Sequence, residues 1–220
     1  MQKIKTKQEG RSIYWHCDCG KTRVAGRQKI KVIAMRHGES EHNIAGVVNG
    51  DPKKPFHLTA RGKRQARHLA KKLRNKKMAA IIASQMLRTQ ETAAPLARLK
   101  GLRIQIDKRL NDISAGRLEG IPILEFRKIT NNGKKSVKGS ETNKDIGKRL
   151  KSFFEELIEC YSGQSVAIVS SEMVLHALWQ VSRGLPCDED LGEHLHNGVA
   201  YEFYITSPIC CPSCGDRCSI

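Results

Sequence analysis

The sequence has no apolar run that approaches the roughly 20 residues needed by a membrane-spanning helix. Its first residues, Met1-Gln2-Lys3-Ile4-Lys5, are polar and basic, and the apolar core of a secretory signal does not follow them. These absences argue against a membrane helix and against secretion. We therefore expect a soluble, cytoplasmic protein without a membrane partner. A chain of 220 residues can form one domain with small appendages.

Acidic residues are scarce: the sequence contains 22 Asp and Glu and 39 Lys and Arg, which gives a formal charge of +17. This excess favours anionic partners: nucleic acid, an acidic membrane surface or phosphorylated metabolites. Residues 61–77 carry nine Lys or Arg and no acid, a pattern that can bind nucleic acid. This stretch lacks aromatic side chains for base stacking. We therefore interpret it as the solvated face of a helix.

Cysteine is scarce in the interior of the chain and concentrated near its two ends. Cys160 and Cys187 lie in the middle part of the sequence, and we expect their thiols to be inert. For the rest, metal binding is the better expectation in a protein without a secretion signal. Residues 211–215, Cys-Pro-Ser-Cys-Gly, have the form of a zinc knuckle, and residues 17–20 form a shorter one. We predict one structural zinc, the alternative being tails with free thiols. The expected ligands are Cys17, Cys19, Cys211 and Cys214, with Cys210, Cys218 and His16 as substitutes.

The sequence is organised around residues 30–40. An apolar, β-branched run from Ile30 to Ala34 ends in Met35 and then in Arg36, His37 and Gly38. This pattern predicts a buried strand that ends in two functional side chains. Open α/β sheets bind their ligands at such carboxyl ends. An isolated Arg-His pair at a strand end usually has no catalytic role. Here, however, further motifs follow it along the chain.

Those motifs resemble the histidine phosphatase superfamily, also called the phosphoglycerate-mutase-like family, between about residues 29 and 206. The similarity rests on four segments in one order, Arg36-His37-Gly38-Glu39-Ser40 with Asn43, Leu58-Thr59-Ala60-Arg61-Gly62, Ser84-Gln85-Met86-Leu87-Arg88-Thr89-Gln90-Glu91-Thr92, and Leu110-Asn111-Asp112-Ile113-Ser114-Ala115-Gly116.

The pattern of elements predicts an α/β fold, a three-layer α/β/α sandwich with a mostly parallel sheet, as the resemblance also implies. We expect short strands at residues 80–83, 102–106, 166–169 and 199–205, and helices from Ala60, around Arg88, from Asp145 and after Ser171. Residues 41–46 are expected in a loop, and residues 127–145 in a mobile flap beside the pocket. The predicted organisation is a basic extension with a cysteine knuckle (1–28), the phosphatase domain (29–206) and a Cys-rich tail (207–220).

The resemblance implies a reaction through a phosphohistidine on His37, because neutral imidazole is a nucleophile near pH 7. Guanidinium groups suit phosphate oxygens, so no metal or cofactor is expected for catalysis. The family's acid is commonly Glu, and here Asp112 stands in that position. The remaining expected roles are phosphate contacts by Arg36, Arg88 and Ser171, and substrate binding by Gly38, Ser40, Asn43 and Glu172.

One family motif departs from the pattern. A second histidine usually follows the strand at 166–169, whereas this chain has Ser170-Ser171-Glu172. A serine cannot carry a positive charge, and loss of one charge-assisted hydrogen bond costs about 1.5 to 3 kcal/mol. His176 is expected to point elsewhere. Three explanations stay open: an engineered substitution, a natural member of reduced activity, or a phosphate-binding pseudoenzyme.

We predict a phosphomonoesterase that acts on a phosphorylated small molecule, with activity weakened or lost through Ser171. The alternatives are a mutase-type phosphotransferase, and a non-catalytic phosphate- or RNA-binding protein that uses the basic helix and the zinc knuckle. Nothing in the sequence indicates an oligomeric state.

Overall fold

The computed structural model describes residues 8–9, 12–16, 22–24, 29–187 and 195–206. The first three ranges form a small antiparallel sheet of β1 (Gln8–Glu9), β2 (Ser12–His16) and β3 (Thr22–Val24). The second sheet contains β4 (Lys29–Arg36), β5 (Ala80–Ala83), β6 (Ile104–Ile106), β7 (Ser165–Ser170) and β8 (Ala200–Thr206). The helices are α1 (Glu41–Ala45), α2 (Ala60–Lys72), α3 (Leu87–Lys100), α4 (Ile123–Thr130), α5 (Asn143–Tyr161) and α6 (Glu172–Ser182).

The five-stranded sheet has the order β6-β5-β7-β4-β8. Its first three pairings are parallel, and β8 runs antiparallel to β4, with Val32 opposite Phe203. The prediction of an α/β fold with a largely parallel sheet is therefore confirmed, and the antiparallel edge strand makes the sheet mixed. Crossover helices force parallel neighbours, whereas β8 returns beside β4 from the opposite direction.

Both faces of this sheet are buried because alternate residues of β4 pack into different clusters. Val32 and Ala34 pack into the cluster that contains the apolar faces of α5 and α6. Ile33 and Met35 pack into a second cluster with residues of α2 and α3. This division follows from the two-residue period of a strand. Helices therefore cover the sheet on both sides, and its carboxyl edge stays open for a site.

Helix starts follow the sequence signals closely. Thr59 caps α2 by accepting a hydrogen bond from the Gly62 amide at 3.0 Å, and the helix begins at Ala60 as predicted. Thr142 and Asp145 form a capping box, so α5 begins at Asn143, two residues before the expected start.

The flap predicted at residues 127–145 is shorter in the structure, because α4 runs to Thr130 and α5 begins at Asn143. The expected loop at 41–46 is also wrong, since five of its residues form α1.

The predicted zinc ligands Cys17, Cys19, Cys211 and Cys214 lie outside the described residues. His16 of β2 pairs with Thr22 of β3, on either side of the first pair of cysteines. Within the described ranges, no cluster of three or more His, Cys, Asp or Glu side chains is placed to hold a metal ion. In the same ranges, no helix is long and apolar enough to cross a membrane.

Candidate active site

The carboxyl ends of β4 and β7 meet at one edge of the sheet, where Arg36 lies opposite Ser170. A cavity of about 560 Å³ opens at this edge. It is bordered by polar residues from four parts of the chain, Arg36, His37, His42, Asn43, Asn49, Asp112, Ser171, Glu172 and His176. Residues of the first and last motif segments and of the Ser171 segment therefore meet at one cavity.

His37 lies buried at the carboxyl end of β4. Its side chain is 1% exposed, and its Nδ1 lies 2.8 Å from the carbonyl oxygen of Gly38. A carbonyl can only accept a hydrogen bond, so Nδ1 carries the hydrogen and Nε2 keeps a lone pair. Burial, and next the positive charge of Arg88, hold the pKa of His37 well below its usual 6.5. The imidazole is therefore neutral near pH 7, as nucleophilic attack requires.

Arg88 lies directly behind the cavity wall and is 1% exposed. One terminal nitrogen donates to Asn49 Oδ1 at 2.6 Å, and the other donates to the Asn49 carbonyl and to Asp112 Oδ2, both at 3.0 Å. Burial lowers the pKa of this guanidinium, and Asp112 opposes that shift. Arg88 thus holds two residues that line the cavity and brings a fixed positive charge close to His37.

Arg36 is held from the other side of the site. Its guanidinium lies 2.9 Å from Glu172 Oε2 and donates to the carbonyl of Leu195 at 2.5 Å. Glu172 also accepts from the Leu195 amide at 3.0 Å. Glu172 was expected among the substrate-binding residues, and the structure shows it on the cavity wall, paired with Arg36. A carboxylate repels phosphate, so its contribution is to orient the arginine.

Two buried guanidinium nitrogens are of interest for anion binding. Among the described residues, Nε of Arg36 and Nε of Arg88 are buried and make no hydrogen bond. Buried donors are normally satisfied, because an unmade bond costs about 1 to 3 kcal/mol. Such donors in a cationic pocket are suited to the oxygens of a bound anion.

Asp112 and Ser171 meet at the mouth of the site. Ser171 Oγ donates to Asp112 Oδ1 at 2.9 Å, and the Ile113 amide donates to the same oxygen at 2.9 Å. Together with Arg88, these donors give the carboxyl group three hydrogen bonds, the pattern of an ionised carboxylate. Asp112 must therefore receive a proton before it can act as an acid.

Of three other predicted site residues, Asn43 lines the cavity, whereas Gly38 and Ser40 do not. The amide of Gly38 donates to Thr92 Oγ1 at 3.0 Å, so a contact between Gly38 and substrate stays a prediction. A Cβ at Gly38 would lie 2.7 Å from the Gly62 carbonyl oxygen, so the glycine permits close packing of α2. Ser40 is fully buried and bonded to α1, whereas Asn43 lines the cavity as expected.

Sequence reasoning missed several residues of the site. His176 was expected to point elsewhere, but it lines the cavity from the second turn of α6. Asn49 was not singled out, although it binds Arg88, and Glu119 fixes its loop by accepting from the Gly50 amide at 3.0 Å. From the sequence, His42 was also assigned no role. Its position directly before Asn43, a predicted site residue, could have indicated that it lies at the site.

Comparison with known proteins decides the family. The model of the histidine phosphatase superfamily, branch 1, matches residues 32–207. The chain belongs to the histidine phosphatase superfamily. A relative from Yersinia enterocolitica, named "Probable phosphoglycerate mutase GpmB", is 32% identical over 166 residues, which cover 71% of this chain and 76% of that protein.

Solved structures of superfamily members share the fold. The α-ribazole phosphatase from Shigella flexneri superposes with a TM-score of 0.71 at 23% identity, over 80% of this chain and 94% of that one. A mycobacterial glucosyl-3-phosphoglycerate phosphatase superposes with a TM-score of 0.68 at 19% identity, over 81% and 90% of the two chains. These superpositions show a shared fold, and the match of the family model confirms the resemblance seen in the motifs. Members of the superfamily are phosphatases and mutases, which transfer phosphoryl groups.

Proposed function

We propose that this chain is a phosphomonoesterase that hydrolyses a phosphorylated small molecule through a phosphohistidine on His37. The observation that carries the proposal is the neutral, buried imidazole of His37 beside two arginines whose Nε–H groups have no hydrogen-bond partner within the described part of the chain. These groups supply what phosphoryl transfer requires, a positioned nucleophile and cationic donors for the phosphoryl oxygens.

In the first step, Nε2 of His37 attacks phosphorus and the bond from phosphorus to the ester oxygen breaks. The leaving oxygen takes a proton, which Asp112 delivers after receiving it from the substrate monoanion. In the second step, water attacks the phosphohistidine and gives its proton to Asp112, and inorganic phosphate leaves. The guanidinium groups neutralise the phosphoryl oxygens throughout.

Ser171 makes this a weakened member of its superfamily in our proposal. Its hydroxyl donates to Asp112, so in the free site it is directed at the acid. It contributes no positive charge to the phosphoryl group. Removal of a donor of this type lowers kcat by about a hundred- to a thousandfold in other enzymes.

Hydrolysis of p-nitrophenyl phosphate tests the proposal, measured for the wild type, His37→Asn and Ser171→His. We expect slow turnover by the wild type, none by His37→Asn and faster turnover by Ser171→His. His68→Asn, an exposed change on α2, serves as the matched control and should leave turnover unchanged. Turnover that survives in His37→Asn, or that is absent from both the wild type and Ser171→His, would refute the phosphatase.

A mutase-type transfer is the second candidate because a 32% identical relative is named as a probable phosphoglycerate mutase. The two reactions differ in what receives the phosphoryl group. With 3-phosphoglycerate as substrate, a phosphatase releases inorganic phosphate, whereas a mutase forms 2-phosphoglycerate. Isomer formation in excess of phosphate release would favour the mutase.

A further inference from the structure

A second imidazole lies in the cavity beside His37. His42 of α1 is 5% exposed and lines the cavity wall. Its ring centroid is 5.4 Å from that of His37, with the planes tilted by 51°. The Phe56 ring meets that of His42 edge-on, with the ring centroids 6.0 Å apart. The proposed steps make no use of this group, although buried histidine beside a nucleophile is poised to exchange protons.

The hydrogen bonds around His42 define which nitrogen is basic. Ser40 Oγ donates to Asn43 Oδ1 at 3.1 Å, so it accepts from His42 Nδ1, which lies 2.6 Å away. The Asn43 side-chain amide donates to His42 Nε2 at 3.2 Å. Nδ1 therefore carries the hydrogen and Nε2 carries the lone pair. A proton that arrives on His42 must bind at Nε2.

The charges that face His42 come from several elements. Arg36 and His37 approach from the end of β4, Arg88 from α3, and Asp112 from the loop after β6. Burial, followed by Arg88, lowers the pKa of His42 to about 4, and Asp112 partly opposes this. The imidazole is neutral in the free site. A phosphate dianion beside these arginines reverses the sign of the local field and favours the imidazolium.

We propose that His42 supplies the second imidazole that the chain lacks at position 171. Bound phosphate favours the uptake of one proton from the bulk solution onto Nε2, and this N–H donates to a phosphoryl oxygen. An imidazolium cannot accept the Asn43 hydrogen bond, so that amide is released toward the same anion. The inference rests on the proposed function only for the location of the phosphoryl group.

Sulfate tests the proton uptake without turnover, because it stays a dianion between pH 4 and 8. NMR titration of the imidazole signals gives the His42 pKa with and without sulfate, the signal being assigned by its loss in His42→Gln. We expect the pKa to rise by about three units, so that His42 is substantially protonated near pH 7 when the anion is bound. An unchanged value overturns the inference. The arginine Nε signals show whether sulfate binds. If it binds and the His42 pKa does not change, His42 does not take up the proton. If it does not bind, the anion site that the inference needs is absent.

A double-mutant cycle tests the replacement of the missing histidine. We expect His42→Gln to lower kcat by about ten- to a hundredfold, the worth of a charge-assisted hydrogen bond. Ser171→His should give a larger gain in the His42→Gln background than in the wild type, since the two imidazoles serve one role. His176→Gln, another imidazole on the cavity wall, is the matched control and should not show this coupling.

The possible failures are distinguishable. Turnover that is lost in His37→Asn but unchanged in His42→Gln and His42→Asn refutes the role of His42 and leaves the phosphatase standing. Equal gains from Ser171→His in both backgrounds refute it as well. Without any turnover the proposed function fails, and the sulfate titration still decides whether His42 takes up a proton beside a bound anion.

Discussion

Replacement of Arg88 by lysine tests how the site is held together. The guanidinium makes three hydrogen bonds, two to Asn49 and one to Asp112, from a side chain that is 1% exposed. A lysine keeps the charge but loses the planar fork, and its single nitrogen can keep about one of these bonds. Each bond to a charged group contributes about 1.5 to 3 kcal/mol. We therefore expect Arg88→Lys to lower the free energy of unfolding by about 3 to 6 kcal/mol.

Urea unfolding followed by circular dichroism measures this loss. With a denaturant slope near 3 kcal/mol per molar, the midpoint should fall by about 1 to 2 M. Turnover of p-nitrophenyl phosphate should fall at least about tenfold, because Asn49 and Asp112 are no longer fixed. Arg98→Lys, an exposed change on the same helix, is the matched control. Equal midpoints for the two variants would show that the buried hydrogen bonds do not support the site.

Three further predictions concern stability and the termini. Burial of neutral His42 makes the unfolded state bind more protons below pH 6.5, so His42 alone should lower the free energy of unfolding by about 3 kcal/mol between pH 7 and pH 4; urea titrations in which His42→Gln is as pH-dependent as the wild type would contradict this. Gly38→Ala should destabilise by about 1 to 3 kcal/mol and Gly62→Ala by more, since an added Cβ meets backbone oxygens at 2.7 and 1.9 Å; the reverse order in thermal melts would count against the packing argument. We propose that the terminal cysteines hold one structural zinc, so metal analysis of chelator-free protein should give one zinc per chain, and none when Cys17 and Cys214 are both serine.

The parts of the fold that sequence could predict are those with local causes. Residues 30–36 alternate between the two helical layers, and a run of apolar residues ending in Arg36 and His37 identifies a strand and its functional end. Thr59 accepts a hydrogen bond from the Gly62 amide, only three residues along the chain, so the start of α2 can be predicted from the local sequence. Such signals need no knowledge of the remaining chain.

The parts that failed depend on packing between distant segments. His176 was expected to face away, but the direction of α6 turns its second turn toward the cavity. The amide of Gly38 donates to Thr92, which lies far along the chain. The position of Asn49 beside Arg88 joins residues 39 apart in sequence. No local pattern encodes these contacts, because tertiary structure sets them.

The most direct measurement of the central claim is the identity of the residue that carries the phosphoryl group during turnover. Protein mixed with p-nitrophenyl phosphate, quenched in alkali and digested can be analysed by mass spectrometry, since phosphohistidine survives alkali. We predict one phosphoryl group on His37, accumulating more in Asp112→Asn, in which the water that hydrolyses it lacks a base. A phosphoryl group on another residue, or turnover without any modified peptide in both proteins, would contradict the mechanism.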